Sequence, residues 1–255
     1  MTKPSRIPTE SYDYSLPEGR IARYPVEPRD DSRLLIYQDR ILRDARFRDI
    51  GGFLQPSDRL IFNNTKVIQA RMLFRKPTGA LIEIFCLEPS IPADYQLAFQ
   101  QNEACTWTCL VGNARKWKEG ILQQEVEVGD RRCTLRAEKE AEKEGKYLVR
   151  FHWNAPEVTF AEIMEGFGRT PIPPYLNREP EPTDVEDYQT VYARLNGSVA
   201  APTAGLHFTR PLLRQLLQQG ISFSEITLHV GAGTFIPVKD ANAVQHTMHA
   251  EQVMV

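Results

Sequence analysis

The spacing of apolar and polar residues divides the chain into three stretches. In the first, up to about residue 74, extended runs alternate with polar breaks. Residues 32–37 predict a strand, and 47–54 predict a short helix that ends before Gln55-Pro56-Ser57-Asp58. Arg59-Leu60-Ile61-Phe62-Asn63 is apolar enough to predict a strand buried on both faces. Residues 63–66 read as a polar loop, and 67–74 as extended chain again. From about 75 to 154 the pattern shortens. Five β-like runs (80–87, 106–111, 124–128, 133–137 and 147–151) are separated by polar turns, which predicts a small barrel or sandwich. The charged residues 138–145 read as a solvated hairpin tip.

After Pro156 helical spacing takes over. Residues 158–166 predict a helix, and Pro171, Pro173 and Pro174 then stiffen an extended passage into Tyr175. Residues 184–192 predict an amphipathic helix with Tyr188 and Tyr192 one turn apart. Thr209 is an expected N-cap with Pro211 in the first turn, and Leu212, Leu213, Leu216 and Leu217 form the apolar stripe. Gly220 ends that helix, and 221–230 predict a buried strand. The expected fold class is therefore α+β. A mixed α/β main domain, residues 1–74 and 155–255, is interrupted by a small β-barrel domain inserted at 75–154.

Composition narrows this picture only slightly. The 42% hydrophobic and 25% charged content is that of an ordinary globular protein, and the net charge of −2 argues against a surface that is basic throughout. No apolar run reads as a signal peptide or a membrane span, so a cytoplasmic location without membrane association is expected. Cys86, Cys105, Cys109 and Cys133 then read as core thiols. Cys105 and Cys109 share one face of a strand-like run and lack the tight turn of a zinc knuckle. No metal is expected: His246 and His249 alone do not specify a site.

Two stretches carry the candidate chemistry. Residues 200–209 and 227–235 are rich in small residues, which allow close approach to the backbone, yet each holds a histidine and threonines. Gly231-Ala232-Gly233 follows a strand but does not read as a dinucleotide turn. Position 236, where a third glycine would fall, is Ile236, and Pro237 follows. His207 and His229 are expected to face one cleft, with their proton chemistry directed into it. Between Arg20 and Arg48 there are eight arginines, no lysine and five acids. Surface ion pairing is the simpler reading of that stretch, but together with Arg71, Arg75 and Lys76 it permits an RNA-binding face.

Several longer motifs point further. Tyr12-Asp13-Tyr14-Ser15-Leu16-Pro17-Glu18, Pro28-Arg29-Asp30, Phe62-Asn63-Asn64-Thr65-Lys66-Val67, Pro171-Ile172-Pro173-Pro174-Tyr175, Tyr188-Gln189-Thr190-Val191-Tyr192-Ala193, residues 199–208, residues 227–235 and Met248-His249-x-Glu251 occur in this order. Together they resemble the S-adenosylmethionine:tRNA ribosyltransferase-isomerase family of the queuosine pathway. The resemblance implies an α/β main domain with an inserted β-barrel. It also implies transfer and isomerisation of the ribosyl part of S-adenosylmethionine onto a 7-aminomethyl-7-deazaguanine base in a tRNA anticodon, giving epoxyqueuosine-tRNA, adenine and methionine.

The implied partners are tRNA and S-adenosylmethionine, the latter a co-substrate, with no other cofactor. Monomer and homodimer both stay open. Read onto that reaction, His207, His229 and Glu251 suit proton transfer. Thr203, Gly205, Thr227, Gly231, Gly233 and Thr234, with Tyr175 and Tyr192 for stacking, suit substrate binding. Arg29, Arg33 and Arg71 suit anticodon phosphates. Two departures stand out. Asn64 occupies a position where the family usually has aspartate, and the family's later Gly-Thr-Thr and Asn-Phe-His-Leu-Pro motifs do not occur. The main domain is thus expected to be incomplete at its C-terminal end, and a non-catalytic RNA- or nucleotide-binding relative is the alternative reading.

Overall fold

A computed structural model describes residues 6–235 and 238–255. Ile236 and Pro237, which removed the dinucleotide reading, lie outside the described residues. The largest element is a six-stranded antiparallel sheet in the order β5-β6-β7-β10-β9-β8. Its strands are β5 (Arg71–Arg75), β6 (Leu81–Ile91), β7 (Ala104–Gly112), β8 (Leu122–Val128), β9 (Arg131–Lys143) and β10 (Lys146–Trp153). Strand side chains alternate between faces, so each strand sends every second residue to one side. Met72 and Phe74, Ile82 and Ile84, Trp107, Leu135, Val149 and Phe151 all point inward and are fully buried. The sheet curls around them into a nearly closed barrel, as the five short apolar runs predicted.

The strands run longer than the apolar runs suggested. β9 continues through the charged residues to Lys143, because a hairpin needs only Glu144 and Gly145, both at positive φ, to turn. Helix α2 (Phe160–Phe167) starts at Thr159, whose hydroxyl and Glu162 form a reciprocal capping box. Its Phe160, Ile163 and Met164, spaced three and four apart, join the barrel core with Val158. All four cysteines are free and buried, and burial pushes the Cys105 and Cys109 thiols up in pKa. They are core thiols, as expected.

Around the barrel lie smaller sheets. β1 (Arg33–Gln38) and β2 (Ile41–Arg46) form an antiparallel ribbon. β3 (Arg59–Asn63) runs parallel to β12 (Ser222–His229), which pairs on its other side with β13 (Gln252–Met254). β4 (Thr65–Val67) runs parallel to β11 (Leu195–Ser198). A second core of Phe47, Phe62, Phe208, Leu212, Leu216 and Ile221 sits beneath helix α4 (Arg210–Gln218). Thr209 caps α4 by accepting from the Leu212 N–H, as predicted.

Three expectations are corrected, and the short helix expected at 47–54 is present with its type refined. β3 is an edge strand with one face open, so it is not buried on both faces: Ile61 is 65% exposed. The expected loop at 63–66 contains β4, because Thr65 and Lys66 find backbone partners on β11. The segment 47–54 forms a 3₁₀ helix, Phe47–Phe53. The helix expected over 184–192 lasts one turn, α3 (Asp184–Asp187). The Arg29 guanidinium takes the Glu186 and Gln189 carbonyls that a longer helix would use, and the Gln189 amide makes two bonds to the Val67 backbone.

Candidate active site

The parallel strands β3, β4, β11 and β12 bring the two small-residue stretches together. In parallel sheets the crevice outside the carboxyl ends of the strands is the favoured ligand position. Ala200 and Ala201 follow β11 at that end, and the 3₁₀ turn Ala232–Phe235 follows β12. The sheets are stitched there by the half-buried Asn63 and the buried Thr65 and Ser198. Asn63 Oδ1 accepts from the Leu228 N–H at 3.0 Å, and its Nδ2 donates to the Leu228 carbonyl at 2.8 Å. Ser198 Oγ donates to Thr65 Oγ1 at 2.7 Å and accepts from the Val230 N–H at 2.9 Å. The Val199 N–H donates to the Val230 carbonyl at 2.9 Å, which locks the two segments in register. Asn63 and Thr65 belong to a polar run in an apolar surround, a signal of side-chain bonding that a loop at 63–66 does not capture, and nothing local in the sequence marks Ser198.

Next to this seam are two adjoining cavities. One, of about 510 Å³, is lined by Pro171, Pro173, Pro174, Ala200, Ala201 and Phe235, with Thr203 and Thr234 supplying hydroxyls. The other, of about 610 Å³, has Arg23, Arg29, Arg33 and Arg46 on its wall, against Asp31 and Asp187, and includes His207. Tyr175, Tyr188 and Thr203 line both and form the ridge between them. Tyr175 is 64% exposed, so its ring is free to cover a ligand. Burial pushes the Tyr188 phenol up to about 12, and it stays protonated at neutral pH.

His207 and His229 do not meet. The His207 ring packs against Phe47 and its Nδ1 lies 3.2 Å from the Ala204 carbonyl, a contact that suits an Nδ1–H donor and leaves Nε2 as the basic nitrogen. His229 lies elsewhere: it is buried, stacked on Tyr95 with ring centroids 4.2 Å apart, and seated against Gly197. Burial lowers its pKa, only partly offset by the Gly197 backbone and Asp94, so it is neutral at pH 7. Among the described residues no partner meets its Nδ1.

Several other candidates have occupations of their own. Thr227 Oγ1 donates to Asn64 Oδ1 at 2.8 Å, while Asn64 Nδ2 donates to Glu225 at 3.2 Å. The asparagine can donate to Glu225 where an ionised aspartate could not. Gly205 leaves room for the Tyr192 hydroxyl, and Tyr192 itself packs on Phe62 at 4.6 Å. Burial pushes the Tyr192 phenol up to about 12.

Arg29 staples α3, and Arg33 Nη2 meets Asp44 at 3.2 Å. Arg71 pairs with Glu83 at 2.7 Å, on the rim of a separate cavity of about 770 Å³ that also involves Arg169 and Arg178. Gly231 and Gly233 receive the segment before β13. The Gly231 N–H donates to Glu251 Oε2 at 2.7 Å, and a methyl at Gly233 would overlap the His249 ring. His249 Nε2 lies 3.1 Å from Glu251 Oε1. His249 was missed as part of this arrangement, although its spacing two residues from Glu251 puts both on one side of an extended chain. His246 turns to Asp240 instead, so the two histidines do not act as a pair.

The architecture is thus that of a mixed α and β protein whose clefts open at the ends of parallel strands. The chain belongs to the family described as queuosine biosynthesis protein, whose model matches residues 9–255. It is 42% identical over 251 residues to the S-adenosylmethionine:tRNA ribosyltransferase-isomerase of Acaryochloris marina, covering 96% of this chain and 63% of that protein. It is 40% identical to the enzyme of the same name from a Sulfurihydrogenibium species, covering 94% of this chain and 66% of that one. The chain therefore spans a little under two thirds of the length of these relatives. A crystal structure of the S-adenosylmethionine tRNA ribosyltransferase from Thermotoga maritima is 30% identical, covering 86% of this chain and 58% of that chain, with a TM-score of 0.32.

Proposed function

We propose that this chain carries the S-adenosylmethionine- and tRNA-binding cleft of a tRNA ribosyltransferase-isomerase, and that it transfers and isomerises the ribosyl group of S-adenosylmethionine onto a 7-aminomethyl-7-deazaguanine base. The observation that carries this reading is the pair of adjoining cavities with unlike walls. The 510 Å³ cavity is within the ordinary range for small-molecule sites, and it is apolar with a few hydroxyls. Adenine stacks against proline and tyrosine faces, the ribose hydroxyls meet Thr203 and Thr234, and the sulfonium is tolerated beside aromatic rings. The neighbouring cavity has four arginines against two aspartates, which suits the phosphates flanking the target base. Tyr175, on the ridge, separates the co-substrate from the base that receives its ribosyl group.

The reaction requires removal of a proton beside the sulfonium. Of the three proton-transfer candidates, His207 is the one on a cavity wall. His229 is buried, and Glu251 holds the Gly231 N–H. His207 is therefore assigned as the base, with the sulfonium end of the co-substrate reaching over the Tyr175–Thr203 ridge into its cavity, its Nδ1–H held by Ala204 and its Nε2 available.

Calorimetry with S-adenosylmethionine tests the cavity assignment. Thr203→Val and Tyr175→Ala are expected to weaken binding by about tenfold each, the scale of one lost hydrogen bond or stacking contact. Binding to both variants with wild-type affinity would remove the co-substrate from this cavity.

A further inference from the structure

The wall of the arginine-lined cavity does not stop at the cavity. Arg33 and Arg46, which line it, are register partners at the base of the β1–β2 ribbon. Partners directly opposite in an antiparallel pair share a face, and the face repeats every second residue. The same face therefore continues outward through Leu35 and Asp44 to Tyr37 and Leu42. Leu35, Tyr37 and Leu42 are 67%, 70% and 65% exposed. Asp44 is neutralised by Arg33. Ribbon residues 33–46 hold four arginines and two aspartates. Arg40, at the turn where the strip ends, is exposed and among the described residues has no ion-pair partner, whereas Arg43 projects from the other face beside Ile36.

An apolar and aromatic strip that ends at the free Arg40 guanidinium and is continuous with a basic cavity matches one ligand chemistry. Phosphates meet the arginines, and unpaired bases stack on the ring and the leucines. We infer that the β1–β2 ribbon is an RNA-binding arm that holds unpaired nucleotides next to the one in the cleft, with Tyr37 as the stacking platform and Arg40, at the turn, as a phosphate contact. This inference rests on the RNA-directed reading of the cleft.

Fluorescence anisotropy with an anticodon stem-loop RNA, titrated over a range of salt concentrations, tests it. Arg40→Ala is expected to weaken binding severalfold and to lower the slope of log affinity against log salt by about 0.8, the value for one lost phosphate contact. Tyr37→Ala is expected to weaken binding about tenfold and leave the salt slope unchanged. The variant Arg210→Ala, on the exposed side of α4, removes the same charge elsewhere and is expected to bind like wild type. All these side chains are exposed, so melting temperatures should match.

If wild type binds the RNA and the ribbon variants bind equally well, the arm is wrong and the cleft reading survives. An equal loss in the α4 control would also overturn the arm, because the effect would then be one of general charge. If wild type fails to bind RNA, both fall. A sedimentation coefficient that drops in Tyr37→Ala with RNA affinity intact would assign the face to a second copy of the chain instead.

Discussion

Gly197 shows how a single residue can be fixed by its neighbour. Its φ of 150° is a conformation that side chains disfavour, and a methyl there would overlap the His229 ring. Gly197→Ala is expected to destabilise the fold by about 1–3 kcal/mol in chemical denaturation, and shrinking the ring with His229→Ala in the same chain should recover part of that loss. His229 also makes stability depend on pH. Its folded pKa lies below the ordinary 6.5, mainly because it is buried. The unfolded chain therefore binds a proton that the folded chain refuses. This contribution is complete above about pH 6.5 and declines as pH falls from there through the folded pKa. His229→Gln should flatten the stability profile as pH falls below about 6.5, the ordinary histidine pKa. A wild-type slope that persists in the variant would assign it to other groups. The sequence marked His229 as chemically interesting, but burial against Tyr95 is a tertiary fact with no local signature.

Among the elements, legibility followed period. The barrel strands were readable because alternating burial writes a period of two into the sequence, and α4 was readable from its cap and its leucines. The segment after Asp184 was not, because its carbonyls and Gln189 are claimed by Arg29 and Val67, far away in sequence. That segment is anchored by Arg178, whose guanidinium grips Asp184 with two bonds of 2.6 and 2.7 Å and also reaches the Arg23 carbonyl. Burial alone would raise the Asp184 pKa. The hydrogen bonds from Arg178 and the Glu181 N–H outweigh it and hold the pKa below the usual 3.8. The ionised pair contributes above that value, and its contribution is lost as pH falls below it through the folded pKa. Asp184→Asn is expected to cost about 3–5 kcal/mol, because it leaves a guanidinium that is only 9% exposed without its counter-charge. Replacing both residues with apolar ones should cost less. Equal losses in the single and double variants would show that the pair is not acting as a unit.

At the scale of the whole molecule, the motifs identified the family, and the cleft was only partly legible. Thr203, Thr234 and Tyr175 line one cavity, and His207 lines the next with Arg29 and Arg33. Thr227, Gly205 and Tyr192 turned inward, because small residues admit a neighbouring side chain as readily as a ligand. The net charge of −2 hid a basic cavity wall, since whole-chain totals average over faces. The most direct test is single-turnover reaction of this chain with S-adenosylmethionine and tRNA carrying 7-aminomethyl-7-deazaguanine, followed by mass spectrometry of the nucleoside and of released adenine. The expected result is epoxyqueuosine and adenine in equal amounts, with His207→Ala slowing their formation by about 10²–10⁴-fold while S-adenosylmethionine still binds. Binding of both substrates with no product from the wild-type chain would contradict the account.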